Sequence, residues 1–141
     1  MEKLKLQIGA EELASDAQMI LKKLIQFNES TVGRSNIKEI TVTLKNSEGE
    51  LIAGLNGFTH WNWFFIKLLW THESHRGQGL ARQLMKAAEK EATQRGAEGA
   101  WVDTFSLKTA KFYEQLGYAI FGKLSDYPRG HKRIFLQKKL N

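Results

Sequence analysis

Thr71-His72-Glu73-Ser74-His75-Arg76-Gly77-Gln78-Gly79-Leu80-Ala81 is the stretch on which the reading of this chain turns. It closes a strongly apolar run, Trp63 to Thr71, and opens residues 79–95, where Leu80, Leu84 and Ala88 form one helical row and Ala81, Met85 and Ala92 the next. Arg95-Gly96 ends that helix with a glycine cap. The short segment Ala100 to Thr104 is apolar with β character. Strand, helix and strand in succession make a βαβ unit, so the strands 63–71 and 100–104 are expected to run parallel, joined by a right-handed crossover.

Upstream, residues 37–45 and 51–60 read as two strands joined through Asn46-Ser47-Glu48-Gly49-Glu50, whose glycine and polar residues suit a hairpin. With 63–71 they form an antiparallel meander, and the apolar run of the third strand predicts burial on both faces. Residues 3–8 alternate as a short strand. Residues 11–27 place Leu13, Ala17, Ile20, Leu24 and Phe27 on one helical stripe, widened by Met19 and Leu21, and Asn28 to Asn36 reads as a loop. Downstream come a helix from Ser106 to Leu116 that stops at Gly117, a strand Tyr118 to Leu124, a loop Ser125 to Gly130 and a strand Arg133 to Lys139. The fold class is therefore α/β of the α+β kind: a mixed, mostly antiparallel sheet with a central parallel pair and flanking helices. With no repeat and no linker, residues 1–141 are expected to form a single domain.

Composition narrows the function. At 141 residues, with 42% hydrophobic and 26% charged side chains, the chain can bury a core and is neither disordered nor fibrous. No run approaches the roughly 18 apolar residues that span a bilayer, and Met1-Glu2-Lys3-Leu4-Lys5-Leu6 is not the apolar core of a signal peptide. The cytoplasm is the expected compartment. The absence of cysteine excludes a disulfide scaffold, a thiolate zinc site and a cysteine nucleophile, and the histidines show no metal spacing. Residues 1–60 carry 7 basic and 8 acidic side chains, whereas 61–141 carry 14 and 7, so the excess of positive charge lies in the second part. Such an excess favours an anionic partner, either nucleic acid or a polyphosphate cofactor, or simply aids solubility.

Between a strand and an amphipathic helix, Gly77 and Gly79 free the backbone for unusual dihedrals, so that successive N–H groups and the positive helix end can converge on phosphate oxygens. Arg76 adds a fixed charge suited to bidentate phosphate contact. Alone, such a turn is a weak signal and more often a structural one. It is not an ATP-binding P-loop, because no Lys-Ser or Lys-Thr follows the glycines. It mimics the dinucleotide fingerprint, with Asp103 at the distance of a ribose contact, but Arg82 stands at the third glycine position and no further βαβ units follow.

The pattern Arg76-x-x-Gly79-x-Ala81 after Leu69-Trp70-Thr71, together with Phe112-Tyr113-Glu114-Gln115-Leu116-Gly117-Tyr118, resembles the GNAT superfamily of acyl-CoA-dependent N-acetyltransferases. The element order resembles that fold along nearly the whole chain. Gly99 to Ser106 and Asp126-Tyr127-Pro128-x-Gly130-His131 look like a small bacterial subgroup. The resemblance implies acetyl-CoA as co-substrate without a metal, and transfer of its acetyl group to a primary amine on a small molecule or peptide. Backbone groups of Leu69, Trp70 and Thr71 would hold the pantetheine arm, and Arg76, Gly77, Gln78, Gly79, Leu80 and Ala81 the pyrophosphate. The parallel strands would splay to admit the cofactor. Ser106 stands where many members carry Asn, which puts one cofactor contact in question.

Acetyl transfer needs a neutral amine, and an alkylammonium of pKa about 10.4 must first lose a proton to a base or a water chain. No covalent intermediate is required. By the resemblance, Tyr113 is the general acid that serves the CoA thiolate; otherwise it is a packing aromatic. A backbone N–H near Trp70 would polarise the carbonyl. Asp103, at a strand end beside the expected gap, is the first candidate for the base, with Glu73 and His131 behind it; its other reading is to fix the following loop or orient the amine. His72, Glu73 and His75 read as a solvated turn, with His75 within reach of phosphate, and His60 reads as structural. Of the aromatic cluster Trp61, Trp63, Phe64, Phe65 and Trp70, most is core, and Trp61 is a candidate wall of the acceptor pocket. Asn28 and Glu29 follow the first helix where the family shapes acceptor specificity, and Glu29 would attract a cationic amine or remain a solvated carboxylate.

Two other classes compete. A non-catalytic acyl-CoA-binding regulatory module would keep the turn without turnover, and thiol release dependent on an amine separates it. A nucleic-acid binder would use the basic second part, but the chain lacks a basic helix with regular aromatic or groove-reading residues. A homodimer is left open by the sequence.

Overall fold

The computed structural model describes residues 2–141, which divide by their internal contacts into two compact units, one ending at Ser35 and one running Asn36–Asn141. In the first, a single turn Glu11–Leu13 leads into α1, Ala14–Val32. The helix runs further than its apolar stripe predicts. Ser30 and Thr31, which read as loop residues, return their hydroxyls to the Phe27 carbonyl at 2.7 and 3.1 Å, a local bond that lets them complete a helical turn. Gly33, at φ 91°, then ends the helix with its N–H on Glu29 O at 2.9 Å. The strand expected at 3–8 does not form: no ladder satisfies its backbone, and alternation without a partner is no strand. Within this unit nothing covers the apolar stripe of α1, which has no buried residue.

The second unit is a six-stranded sheet of β1 (Lys38–Lys45), β2 (Leu51–His60), β3 (Trp63–Thr71), β4 (Gly99–Thr104), β5 (Ala119–Ser125) and β6 (Lys132–Lys139), in the order β1-β2-β3-β4-β6-β5. Every pairing is antiparallel except β3 with β4, the predicted parallel pair. Helix α2 (Leu80–Gln94) makes the crossover and packs on β1, β2 and β3; α3 (Leu107–Gln115) packs on β4, β5 and β6. Leu84, Met85, Ala88 and Ala92 of α2 are buried, the rows the periodicity named. They share one core with Leu55, Phe64, Ile134 and Leu136, which are also fully buried.

The parallel pair is short. Trp63 pairs with Gly99 and the register continues to Ile66 with Val102, where pairing stops although β3 continues to Thr71. The cause lies on the other edge of β3. Asn56 faces Leu68 and Gly57 faces Ile66, so Lys67 is an extra residue, a bulge that bends β3 away from its neighbour. The expected burial of both faces of this strand therefore fails beyond the bulge: Leu68 is 58% and Trp70 46% exposed. Gly57 makes the bulge sterically feasible, because a Cβ there would run into the Phe65 carbonyl oxygen and lie 2.9 Å from the Phe64 ring. Gly57→Ala should thus cost at least about 2 kcal/mol, as overpacking against backbone does, and lower the melting temperature measurably. A wild-type melting curve would show that β3 yields easily at this point.

Candidate active site

The chain leaves β3 at Thr71 and makes one tight turn over Glu73–His75. His72 Nδ1 accepts from the Ser74 N–H at 3.1 Å, and the Ser74 hydroxyl lies 2.7 Å from that nitrogen and 2.9 Å from His75 Nδ1. These contacts are internal to the turn. Arg76 is braced across it, its Nε donating to Thr71 O at 3.2 Å. Gly77 and Gly79 take φ 80° and 79°, and a Cβ on either would meet nothing within 4 Å. The left-handed backbone, not crowding, is what demands glycine here. Gly79 is the N-cap of α2 and offers no side-chain acceptor, so the first N–H groups of the helix face outward without a capping side chain. A cavity of about 330 Å³ opens on them, lined by Thr71, Arg76, Gly77, Gly79, Leu80 and Ala81, with His75, Arg82 and, from α3, Phe112 and Gln115.

Beyond Ile66 and Val102 the parting strands leave a cleft of about 360 Å³, lined by Lys67, Leu68, Leu69, Asp103, Ser106, Tyr113 and Arg133 among others. Tyr113 rises into it from α3 with only 4% of its surface exposed. Burial first, and then the nearby Asp103 carboxylate, push its phenol up to about 12, so at neutral pH it keeps its proton and is a donor. Its backbone is held by the Tyr118 N–H, which donates to Tyr113 O at 3.1 Å, and the two rings lie 5.9 Å apart. Tyr118 is itself pinned: its hydroxyl donates to Glu89 Oε2 at 2.7 Å, and Glu89 Oε1 accepts from Lys138 Nζ at 2.7 Å. Burial, reinforced by that carboxylate, pushes the Tyr118 phenol up as well. This network ties α2 and β6 to the residue behind Tyr113.

Asp103 is half committed, since its Oδ1 accepts from Arg133 Nη1 at 2.8 Å. Arg133 in turn lies over the Tyr127 ring, 4.4 Å from its centroid. Ser106 caps α3, its Oγ accepting from the Thr109 N–H at 3.2 Å. A larger cavity of about 620 Å³ meets the cleft at Phe105 and Ser106 and extends past His131, whose ring stands edge-on to Phe105 at 5.9 Å.

A glycine turn opening on a helix N-terminus thus adjoins a cleft between parting parallel strands, with a buried phenol lining it. Residues 15–118 match the family model described as Acetyltransferase (GNAT) family. The chain belongs to this family. Acetyltransferase Atu2258 of Agrobacterium fabrum is 32% identical over 126 residues, covering 89% of this chain and 92% of that protein. Blasticidin-S acetyltransferase of Streptomyces morookaense is 37% identical over 93 residues, 65% of this chain and 68% of its own. Among solved structures, an acetyltransferase from Bacillus cereus superposes with a TM-score of 0.88 at 29% identity, over 97% of this chain and 98% of that one.

In this acetyltransferase the predicted cofactor residues gather in two adjoining places. Thr71, Arg76, Gly77, Gly79, Leu80 and Ala81 line the turn cavity, while Leu69 and Ser106 line the cleft with Tyr113 and Asp103. Gln78 and Trp70 are exposed beside them. His131 lines the larger cavity. Trp61 does not join the group: it sits at the β2–β3 turn with φ 51°, at the end of β3 where the parallel pair is closed. Asn28 and Glu29 belong to the first unit, where Glu29 Oε2 accepts from both the N–H and the hydroxyl of Ser35 at 2.9 Å. Those bonds hold its carboxyl below the usual range.

The sequence reading missed Arg133, Phe112 and Gln115 as lining residues. Phe112 and Gln115 were legible as the i, i+3 face beside Tyr113. Arg133 carries no local signal, because only the β4–β6 ladder brings it to Asp103. No group of three or more His, Asp or Glu that could hold a metal occurs among the described residues, and none of their helices is long and apolar enough to cross a membrane.

Proposed function

We propose that this acetyltransferase, acting as one domain over residues 1–141, moves the acetyl group of acetyl-CoA to a primary amine by direct attack in the β3–β4 cleft. The observation that carries the reading is the early end of the parallel pairing at Ile66 and Val102, which leaves the β3 edge from Lys67 to Thr71 unpaired on that side, leading to the glycine turn. An unpaired strand edge offers main-chain groups to an extended amide-bearing arm such as pantetheine. The family match, residues 15–118, runs through α1 and the strands β1 to β4, which supports treating both units as one domain. A relative that acetylates blasticidin-S supports transfer to a small molecule.

The amine nitrogen attacks the thioester carbon, the carbon–sulfur bond breaks, and the proton leaving nitrogen balances the one that reaches sulfur. Tyr113 is the general acid at sulfur. Its resting phenol, at about 12, is a weaker acid than a thiol at about 8.5, so donation runs to completion only as the amine's proton replaces the one it gives. Asp103, with Oδ1 occupied by Arg133, keeps Oδ2 to orient the ammonium or receive its proton. That same occupation favours the rival reading, a non-catalytic acyl-CoA-binding module.

One experiment addresses both. Acetyl-CoA at a hundred times its Kd should stabilise the fold by about 2.7 kcal/mol and raise the melting temperature. An amine panel should then release free thiol from the bound acetyl-CoA. No melting shift with millimolar acetyl-CoA or CoA removes the cofactor; a shift without thiol release from any amine leaves the binding module.

A further inference from the structure

The tip of the β5–β6 hairpin, Lys123-Leu124-Ser125-Asp126-Tyr127-Pro128-Arg129-Gly130-His131-Lys132-Arg133, carries four Lys and Arg side chains against one carboxylate. Its register sorts these charges. Lys123 lies opposite Ile134 and Ser125 opposite Lys132, so Lys123 and Lys132 stand diagonally on one face, while Arg133, opposite Leu124, projects to the other. Arg133 is spent on Asp103. Lys123 and Lys132 both line the 620 Å³ cavity that meets the cleft at Phe105 and Ser106.

The charges in that cavity do not cancel. Asp126 is the one carboxylate among its lining residues, and its Oδ1 accepts from the Gly130 N–H at 3.2 Å. No ion pair among the described residues includes Lys123 or Lys132. Lysines on a convex surface are simply solvated, but two unpaired ammonium groups bordering one concavity focus a positive potential into it. Phe105, Leu107 and Ile134 give the same cavity an apolar wall. A pocket of this kind holds a short apolar linker ending in an anion and repels a second cation.

We infer that the acceptor is an amine that also carries an anionic group, held by Lys123 and Lys132 in this cavity while the amine reaches the thioester past Phe105 and Ser106. The inference rests on the acetyl transfer to an amine proposed above, and narrows its acceptor. A polyamine would meet like charge, and an uncharged amine would leave the two lysines unused.

The test is a panel of ω-amino carboxylates of increasing chain length, each with its own amide and with the aminoalkyl phosphate of matching length, at saturating acetyl-CoA. Remote placement keeps amine basicity nearly equal within each set. The anionic member should have a kcat/KM about tenfold or more above its amide, the scale of one charge-assisted contact. The carboxylate and phosphate arms tell which anion fits. In a Lys123→Gln, Lys132→Gln double variant the anionic member should fall to the level of the amide. Amides or diamines used as well as the anions, or a preference that survives the double variant, overturns the inference.

If no panel member turns over, binding decides. On CoA-saturated protein, glutarate or inorganic phosphate should raise the melting temperature of the wild type and not of the double variant. Absence of both shifts overturns the anion site while leaving acetyl-CoA binding intact. Failure of acetyl-CoA itself to raise the melting temperature sinks the transfer reading, a separate result.

Discussion

Replacing Gly79 by valine should abolish the thermal stabilisation given by acetyl-CoA while leaving a folded protein. Gly79 holds φ 79° and ψ 14° as the N-cap of α2, and no neighbour lies within 4 Å of where a Cβ would stand. A side chain therefore meets no clash in the folded state, and the cost is conformational. A left-handed backbone at a non-glycine residue costs roughly 1–2 kcal/mol, more for a branched one, which a domain of this size survives. The strain is relieved by rotating the cap, and that rotation moves the backbone of Gly77, Gly79 and Leu80, which lines the cavity beside Arg76 and on this reading supplies its N–H donors. Affinity falls because several convergent donors are lost together. Gly79→Ala, without the branch, should bind with intermediate affinity. Calorimetric titration with acetyl-CoA on both variants, alongside their melting curves, makes the measurement; wild-type affinity in the valine variant would show that the cofactor does not use this turn.

Much of this architecture was legible because each element carries its own period. The rows Leu84–Ala88 and Met85–Ala92 fixed the face of α2, and the strands flanking it could only be parallel once a helix crossed between them. Two kinds of feature were not. The helix end at Val32 depends on Ser30 and Thr31 bonding backward instead of opening a loop, a choice that residue type leaves balanced. The bulge at Lys67 depends on contact between strands; its trace in the sequence is Gly57, a glycine within a strand, which marks close backbone approach. The site divides the same way. Its glycine turn and Tyr113 sit in contiguous motifs, whereas the Arg133 that engages Asp103 comes from 30 residues further along the chain.

Tyr113→Phe should lower kcat by about 10²–10⁴-fold while leaving acetyl-CoA affinity nearly unchanged. The ring is 4% exposed and packed against Tyr118, so phenylalanine keeps the packing and removes one hydroxyl. That hydroxyl belongs to a residue lining the cleft, and burial and Asp103 keep it protonated far above neutral pH. Ground-state binding of the cofactor is assigned to the turn and the β3 edge, so losing the phenol spares Kd. In the proposed mechanism its contribution arises as negative charge gathers on sulfur, which is a transition-state event and is read in kcat. The measurement pairs steady-state rates at saturating acetyl-CoA, under conditions where chemistry limits turnover, with a calorimetric Kd. A thiol with a lower pKa leaves more easily without a donor, so an acyl donor built on an acidified thiol should recover much of the lost rate in the variant and gain little in the wild type. An unchanged kcat removes Tyr113 from the chemistry. A slow variant whose acetyl-CoA Kd has risen in proportion makes it a packing residue of the cofactor cleft, and the recovery by the better leaving group is the readout that packing alone would not move.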